Sequence, residues 1–473
     1  MSEPTPGPLP PGPRLPRSVQ AALLLRHWPR FVSACRRRYG SVFTLRIASI
    51  GTLVYLDDPA DIKAVFAGDP TTYHAGEANS LLAGFVGETS VLVIDEDLHH
   101  DRRRLMIAPF QRDAVARQAG VMAEIAAANI ARWPVGTEFP VAPRMSEITL
   151  EVILRTVIGA TDPVRLAALR EVMPRLLNLG SWASLSIANP DLQRRRPWRY
   201  VRRRIEEADR LLYAEIADRR ADPDLAGRTD VLAMLVRASD DDSRTMTDAE
   251  LRDQLMTLLA AGHDTTATAL SWALERLIRH PDELCKAVRA ADASAAGDPA
   301  GDEYLDAIAK EALRIRPVIF DVGRVLTRPV ELAGYHLPAG VMVAPGIGLV
   351  HASAEHYPDP DRFDPGRMVG TTPGPTTWLP FGGGNRRCLG ATFAMAEIRI
   401  VLREVLRRVE LRTSTAKGER QKVKHVVLTP HRGARIYVQA MRTTVTASPA
   451  RAQMPSCPVT TPGKTASSTA MPT

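Results

Sequence analysis

Residues 378–397 read Trp-Leu-Pro-Phe-Gly-Gly-Gly-Asn-Arg-Arg-Cys-Leu-Gly-Ala-Thr-Phe-Ala-Met-Ala-Glu. Gly382, Gly383 and Gly384 open backbone angles closed to other residues, so the chain can turn sharply and pass close under a large flat ligand. Cys388 follows, just ahead of a helix expected over about 389–409. The positive end of a helix favours a thiolate, so this thiol is expected to have a lowered pKa. A thiolate is a soft, strongly donating metal ligand. With no second Cys or His nearby, zinc does not suit it, whereas a metal held mainly by a macrocycle does. The plain alternative is a buried structural cysteine, since free cysteines are among the most buried residues.

Upstream of this stretch the chain reads mainly as helix. Residues 1–16 carry seven prolines and are expected to be extended. Residues 17–40 look helical, 41–56 alternate as a β-hairpin, and Asp58-Pro59 opens a short helix through Phe66. Residues 98–278 look mainly helical. The strongest pattern spans about 248–279, where Thr247 and Glu250 form a capping box. Leu251, Leu255, Leu258, Leu259, Leu270, Leu274 and Leu277 follow at helical spacing. Residues 287–304, rich in Ala, Asp and Gly, are expected to be a surface connection before a helix from Tyr304 to Arg316. Residues 441–473 contain no acid and are expected to be disordered. The expected organisation is a Pro-rich 1–16, one domain over 17–440 and a tail over 441–473.

The composition is that of an ordinary globular chain, with 473 residues, 45% hydrophobic and 24% charged. Aromatics make up only 5%, so the apolar mass is aliphatic and suits helices. Cys35, Cys285, Cys388 and Cys457 form no CxxC pair and no disulfide framework, and plain reduced thiols are expected at all but Cys388. No run approaches the ~18–20 apolar residues of a membrane span, and no signal-peptide layout opens the chain. A cytoplasmic protein without a transmembrane anchor is expected. The formal net charge is +8, with arginine clusters at 36–38, 102–104, 194–196 and 202–204. No aromatic platform, zinc-finger spacing or RNA motif accompanies them, so no nucleic acid is expected. A solvated basic surface, or a face for an acidic protein, fits better.

Phe381, Gly384, Arg386, Cys388 and Gly390 have the spacing F-x-x-G-x-R-x-C-x-G. This resembles the haem-binding loop of the cytochrome P-450 superfamily. The resemblance implies that Cys388 is the axial ligand of the haem iron, that Phe381 packs beneath it and that Arg386 meets a haem propionate. Glu311 and Arg314, three apart on one helix face, match the family's E-x-x-R. Arg362, in Pro360-Asp361-Arg362-Phe363-Asp364-Pro365, matches the segment that supplies a second arginine, so Glu311, Arg314 and Arg362 should form a buried structural network. An isolated pair of this kind is usually a surface salt bridge worth ~0–1 kcal/mol.

Ala261-Gly262-His263-Asp264-Thr265-Thr266 resembles the family's oxygen-activation motif. It implies that Asp264 relays protons and Thr265 hydrogen-bonds the bound oxygen, with the helix opened locally to make room. Gly262 is costly in mid-helix, by ~1 kcal/mol, so a tolerated irregularity is the alternative. His263 reads as a neighbour of this groove. His99 and Arg103 match an H-x-x-x-R pair that clamps propionates, and Arg324 matches a further propionate-binding arginine.

The resemblance runs from about residue 31 to 440. It implies a mainly α P-450 fold, helical with a small β-rich region, and haem b as cofactor. The reaction implied is monooxygenation, RH + O2 + two electrons + two protons giving ROH + H2O. Electrons would come from a ferredoxin and a ferredoxin reductase, since no flavin or iron–sulfur motif is present. Arg387 and Arg399 are expected on the docking face. The pocket walls are expected from 74–95, 176–192, 257–265, 317–323 and 427–431, implying a small hydrophobic substrate such as a lipid, steroid, terpenoid or polyketide. The N-terminal prolines leave peripheral membrane contact open. Two other readings are a peroxide-driven or rearranging haem-thiolate enzyme and a non-catalytic haem sensor. Turnover with peroxide alone marks the first, and steady NAD(P)H-dependent oxygen consumption excludes the second.

Overall fold

The computed structural model describes residues 8–48, 50–178, 186–187, 190–241 and 245–442. The extreme N-terminus, part of the expected 176–192 wall and the tail from 443 lie outside the described residues. The described part of the Pro-rich segment is extended, as its missing N–H groups require, and lies along the first strand. Thr44 donates its N–H to the Pro11 carbonyl at 2.9 Å and its hydroxyl to the Pro10 carbonyl at 2.7 Å. Helix α1 (Arg17–Tyr39) leads into the hairpin β1 (Val42–Ile47) and β2 (Gly51–Leu56). Strand β3 (Tyr73–His74), β4 (Arg324–Leu326) and β5 (Met342–Pro345) complete a sheet in the order β1-β2-β5-β4-β3. Only β2 and β5 pair in parallel, Leu53 opposite Met342 through Leu56 opposite Pro345. Successive side chains of β2 go to opposite faces. Leu53 and Tyr55 join one apolar cluster, and Val54 and Leu56 another.

Helix α2 (Pro59–Ala67) is capped by Asp58, as expected. The helical body follows with α3 (Glu96–Ile107), α4 (Ala119–Ile130), α5 (Ala142–Ile153), α6 (Pro163–Leu177) and α7 (Arg199–Arg220). At its centre runs α8 (Asp248–Leu277), 30 residues and so ~45 Å long. Its capping box is formed as the sequence implies, with both Thr247 and Glu250 engaged. From Thr266 to Leu277 every residue is buried, the pattern of a helix surrounded by others. It packs against α5, against α10 (Pro299–Ile315) and α11 (Ala391–Arg408), and against the hairpin β6 (Gln421–Lys424) and β7 (Val427–Pro430).

Two expectations about local structure change. Residues 287–304 are not a surface connection: α9 (Pro281–Ala295) occupies the first part, and α10 starts at Pro299. Gly297 at φ +87° ends one helix, and Asp298, accepting from the Ala300 N–H, starts the next with Pro299 in its first turn. The Gly-Asp-Pro run is therefore a junction between helices. Cys35 and Cys388 are free thiols, but Cys285 is disulfide-bonded, unlike the reduced thiol expected. Among the described residues no helix is long and apolar enough to cross a membrane.

The network around Glu311 is buried, but its second guanidinium is not that of Arg362. Arg314 grips both Glu311 oxygens, at 2.7 and 2.8 Å. Arg367 supplies the further contact, Nε to Oε1 at 3.2 Å. The Arg362 residue is exposed and offers its carbonyl to Arg314 at 3.2 Å. The turn through Asp364-Pro365 brings in the residue two beyond the proline, and the Asp364 N–H also donates to Glu311 at 3.0 Å. The carboxylate is thus fully hydrogen-bonded, which offsets the cost of burying it. Arg367→Ala should lower the unfolding free energy by about 1–3 kcal/mol, as a buried charge loses a donor. Arg362→Ala should leave it unchanged within error. Urea unfolding of the two variants decides between the two arginines.

Candidate haem-binding site

The loop before α11 is wound around its glycines. Gly382 and Gly384 take φ of +64° and +65°, a region closed to most side chains. Gly383 and Gly384 lie hard against Phe66 at the end of α2. A Cβ on Gly383 would fall 2.2 Å from the Phe66 ring, and one on Gly384 2.1 Å from its carbonyl oxygen. Above Gly382 there is space, the nearest atom being Val322 at 4.0 Å. The Cys388 N–H closes the loop onto the Phe381 carbonyl at 2.9 Å. Phe381 stands edge-on to Trp378 with ring centroids 5.9 Å apart, and the Trp378 indole donates to the Lys310 carbonyl. Leu379 donates its N–H to Nε2 of the buried His351 at 2.8 Å. The loop is therefore pinned at both ends before any ligand is considered.

The acidity of Cys388 departs from expectation. Burial raises its thiol pKa, and the Gly390 N–H, Arg103 and Arg387 only partly offset this. Helix α11 begins at Ala391, three residues beyond the sulfur, so the end of the helix acts mainly through Gly390. The residue retains accessible surface even though burial dominates its acidity, which places the sulfur at the floor of a recess. A cationic metal centre is what such a thiol needs in order to ionise.

Around this floor the structure gathers positive charge. His99 is buried, and burial together with Arg386 and Arg103 pushes its pKa down to about 3. Arg324 is buried, lies over the Phe66 ring and donates to the Gly323 carbonyl. Burial, with Arg386 adding repulsion, lowers it to about 10, and burial with Arg103 does the same to Arg386. Arg103 donates to the Arg387 carbonyl at 2.6 Å. Arg386 reaches the Val91 and Ile94 carbonyls and, at 2.5 Å, Asp95. Asp95 is the carboxylate that faces this group, and it also accepts from the Gly76 and Glu77 N–H groups at 2.8 Å each. One carboxylate among three guanidinium groups, Arg324 buried and Arg103 and Arg386 half-buried, leaves an excess of positive charge suited to a ligand with more than one anionic arm. Haem offers such a pair of propionates, and the donor set fits it. Sequence reading missed Asp95 and Phe66. Asp95 precedes α3 at its cap position, but nothing in its neighbours marks it as the partner of Arg386.

On α8 the expected local opening is absent, and the helix runs unbroken through Gly262 to Thr266. The Thr265 hydroxyl instead donates to the Ala261 carbonyl at 2.5 Å, one turn back. Asp264 pairs with Lys424 of β6, Nζ lying 3.0 and 3.2 Å from its two oxygens. His263 is buried with Nδ1 3.1 Å from the Thr149 hydroxyl. Among the expected walls, Val318 is buried and its carbonyl accepts from Leu428 of β7, while Leu81 is exposed. Residues 179–185 and 188–189 of the expected 176–192 wall lie outside the described residues. Arg387 is exposed, but Arg399 is tied to Asp306 at 2.9 Å, so the expected docking face retains Arg387 alone as a free cation of the two.

The family model for cytochrome P450 matches residues 6–437. A relative from Mycobacterium bovis named cytochrome P450 135B1 is 74% identical over 450 residues, covering 95% of each chain. A relative from Mycobacterium tuberculosis named cytochrome P450 135A1 is 41% identical over 430 residues, covering 90% of this chain and 94% of its own. A retinoic-acid-bound cyanobacterial CYP120A1 shares the fold with a TM-score of 0.79 at 23% identity, covering 92% of this chain and 100% of its own. The haem domain of cytochrome P450DA does so with a TM-score of 0.77 at 24% identity, covering 93% and 99%. With its fold, its recessed thiol and its cationic floor in agreement with these matches, the chain belongs to the cytochrome P450 family of haem-dependent monooxygenases.

Proposed function

We propose that this chain uses haem b to insert one atom of O2 into a small hydrophobic substrate, with electrons from a ferredoxin and its NAD(P)H-dependent reductase. The observation that carries the reading is the juxtaposition of a recessed Cys388 with the guanidinium groups of Arg103, Arg324 and Arg386 and the neutral imidazole of His99. Cys388 would hold the haem iron through its sulfur, and Phe381, whose carbonyl accepts the Cys388 N–H, would pack beside it. His99, Arg103, Arg324 and Arg386 hold the propionates, and Asp95 keeps Arg386 aimed. Haem so held supplies the oxidising power, helped by electron donation from the thiolate.

The protein's own work is placement and proton supply. Asp264 passes a proton from its carboxyl oxygen toward the Thr265 hydroxyl, which releases the Ala261 carbonyl to hydrogen-bond into the site. Glu311, Arg314 and Arg367 stiffen the structure without touching the reacting atoms. Residues 17–440 act as one catalytic domain. The apolar side chains of Phe85, Val86, Val318 and Ile319 suit a lipid, steroid, terpenoid or polyketide substrate. A cytoplasmic setting, with at most peripheral membrane contact, fits a chain whose described helices do not span a bilayer.

Thr265→Ala should retain haem and still consume NAD(P)H, but product per NAD(P)H should fall at least tenfold while hydrogen peroxide rises. Unchanged coupling would remove Thr265 from proton delivery. Arg387→Glu should weaken ferredoxin binding several-fold at low salt, with the difference fading as ionic strength rises. A salt-independent affinity, the same in both proteins, would exclude this docking face.

A further inference from the structure

Residues 87–95 run from the first half of α8 to the cysteine loop and are fastened at both ends. On α8, Asp253, Gln254 and Thr257 share one face and meet three consecutive residues of this segment. Asp253 accepts from the Thr89 N–H at 3.1 Å and from its hydroxyl at 2.8 Å. Ser90 and Thr257 pair their hydroxyls at 2.6 Å. The Gln254 oxygen accepts from the Val91 N–H at 2.9 Å, and its NH2 donates to the Thr89 carbonyl at 2.8 Å. Gly87, at φ +98°, lets Asp253 come this close, since a Cβ there would fall 2.0 Å from its carboxyl carbon. At the other end, Arg386 donates to the Val91 and Ile94 carbonyls at 3.1 and 2.6 Å. Val91 thus has its N–H on α8 and its C=O on Arg386. We infer that Gln254 is a positioning residue for Arg386, acting through Val91, and so sets how firmly the propionate end of haem is held. The inference rests on the reading of Arg386 as a propionate-binding group.

Three observations support the assignment. First, the amide of the fully buried Gln254 is used on both sides. Its oxygen takes the Val91 N–H, and its NH2 reaches the Thr89 and Glu250 carbonyls. The reverse orientation would set NH2 against the Val91 N–H, so only one setting of the amide fits. Second, residues 90–94 form a tight turn, in which the Ser90 carbonyl accepts from the Val93 and Ile94 N–H groups at 3.0 and 3.2 Å. A shift at the Val91 N–H is therefore passed to both carbonyls that hold Arg386. Third, among the described residues every acceptor of the Arg386 guanidinium lies within residues 91–95, the two carbonyls and Asp95. This leaves its Nε–H and one Nη1–H for an anion.

Ser90 and Val91 are buried, so a Val91 N–H deprived of Gln254 has no solvent to turn to. The turn then relaxes toward another acceptor and takes the aim of Arg386 with it. A residue that only filled space on α8 would loosen haem independently of Arg386. One that acts through Arg386 loses its effect once Arg386 is gone, which is the coupling a double-mutant cycle reads.

The test follows haem transfer from the ferric holoenzyme to excess apomyoglobin, for wild type, Gln254→Met, Gln254→Glu, Arg386→Gln and the Q254M/R386Q double variant. Q254M keeps the volume and removes the hydrogen bonds, whereas Q254E keeps an acceptor for Val91. Haem loss should be about tenfold faster in Q254M and within about twofold of wild type in Q254E, the scale of one buried donor losing or keeping its partner. R386Q should also lose haem faster, and the double variant no faster than R386Q. Effects that multiply in the double variant overturn the inference. A wild-type rate in Q254M beside a fast R386Q also overturns it and leaves the role of Arg386 standing. If R386Q releases haem at the wild-type rate, the propionate reading of Arg386 fails and the inference fails with it. Should Q254M not fold, hydrogen exchange of the wild-type holoenzyme decides. A Val91 amide that exchanges as slowly as the core of α8 supports the latch, and one as fast as an exposed loop overturns it.

Discussion

A recessed sulfur that is proposed to carry negative charge is the constraint on which the rest of the account depends. Burial alone drives the Cys388 proton on, not off. The protein answers with the Gly390 N–H, Arg103 and Arg387, and these do not suffice by themselves. A cationic metal against the sulfur, as proposed above, would tip the balance toward the ionised form. Without such a partner, Cys388 is held as a thiol. The glycine turns follow from the same requirement. They let the loop press on Phe66 and keep the sulfur in place through the Cys388–Phe381 backbone hydrogen bond.

Two buried charge groups show different logic. Around Glu311 every carboxylate oxygen has a donor, and the group is self-sufficient. Around His99, Arg103, Arg324 and Arg386 positive charge exceeds negative, and burial holds all four below their usual pKa values. A satisfied network serves as scaffold, whereas an unsatisfied one defines a place for an anion. The first lies behind the cysteine loop and the second beside it, so the loop sits between a rigid support and a ligand-seeking surface.

The long helix with its capping box, the β-hairpin and the helix after Cys388 were legible because each is specified within a few neighbouring residues. The turn-rich loop from Phe381 to Gly390 was legible because its glycines and cysteine are neighbours in sequence. What the sequence hid depends on how the chain returns on itself. Arg362 and Arg367 are both plausible partners for Glu311 on paper, and only the turn at Pro365 selects Arg367. The Gly297-Asp298-Pro299 junction looks like a loop because the same residues end and begin helices. The lowered thiol pKa expected from the helix end failed because desolvation, which no local pattern reveals, outweighs it. Asp95 and Lys424 are isolated charged residues in sequence, and they gain meaning from partners about 290 and 160 residues away.

The central claim is that Cys388 ligates haem iron. The reduced, carbon-monoxide difference spectrum tests it most directly, with purified wild type beside Cys388→Ser. Wild type should show a strongly red-shifted Soret band that the variant lacks. Absence of haem from the wild type, or the same unshifted band in both proteins, would contradict the account.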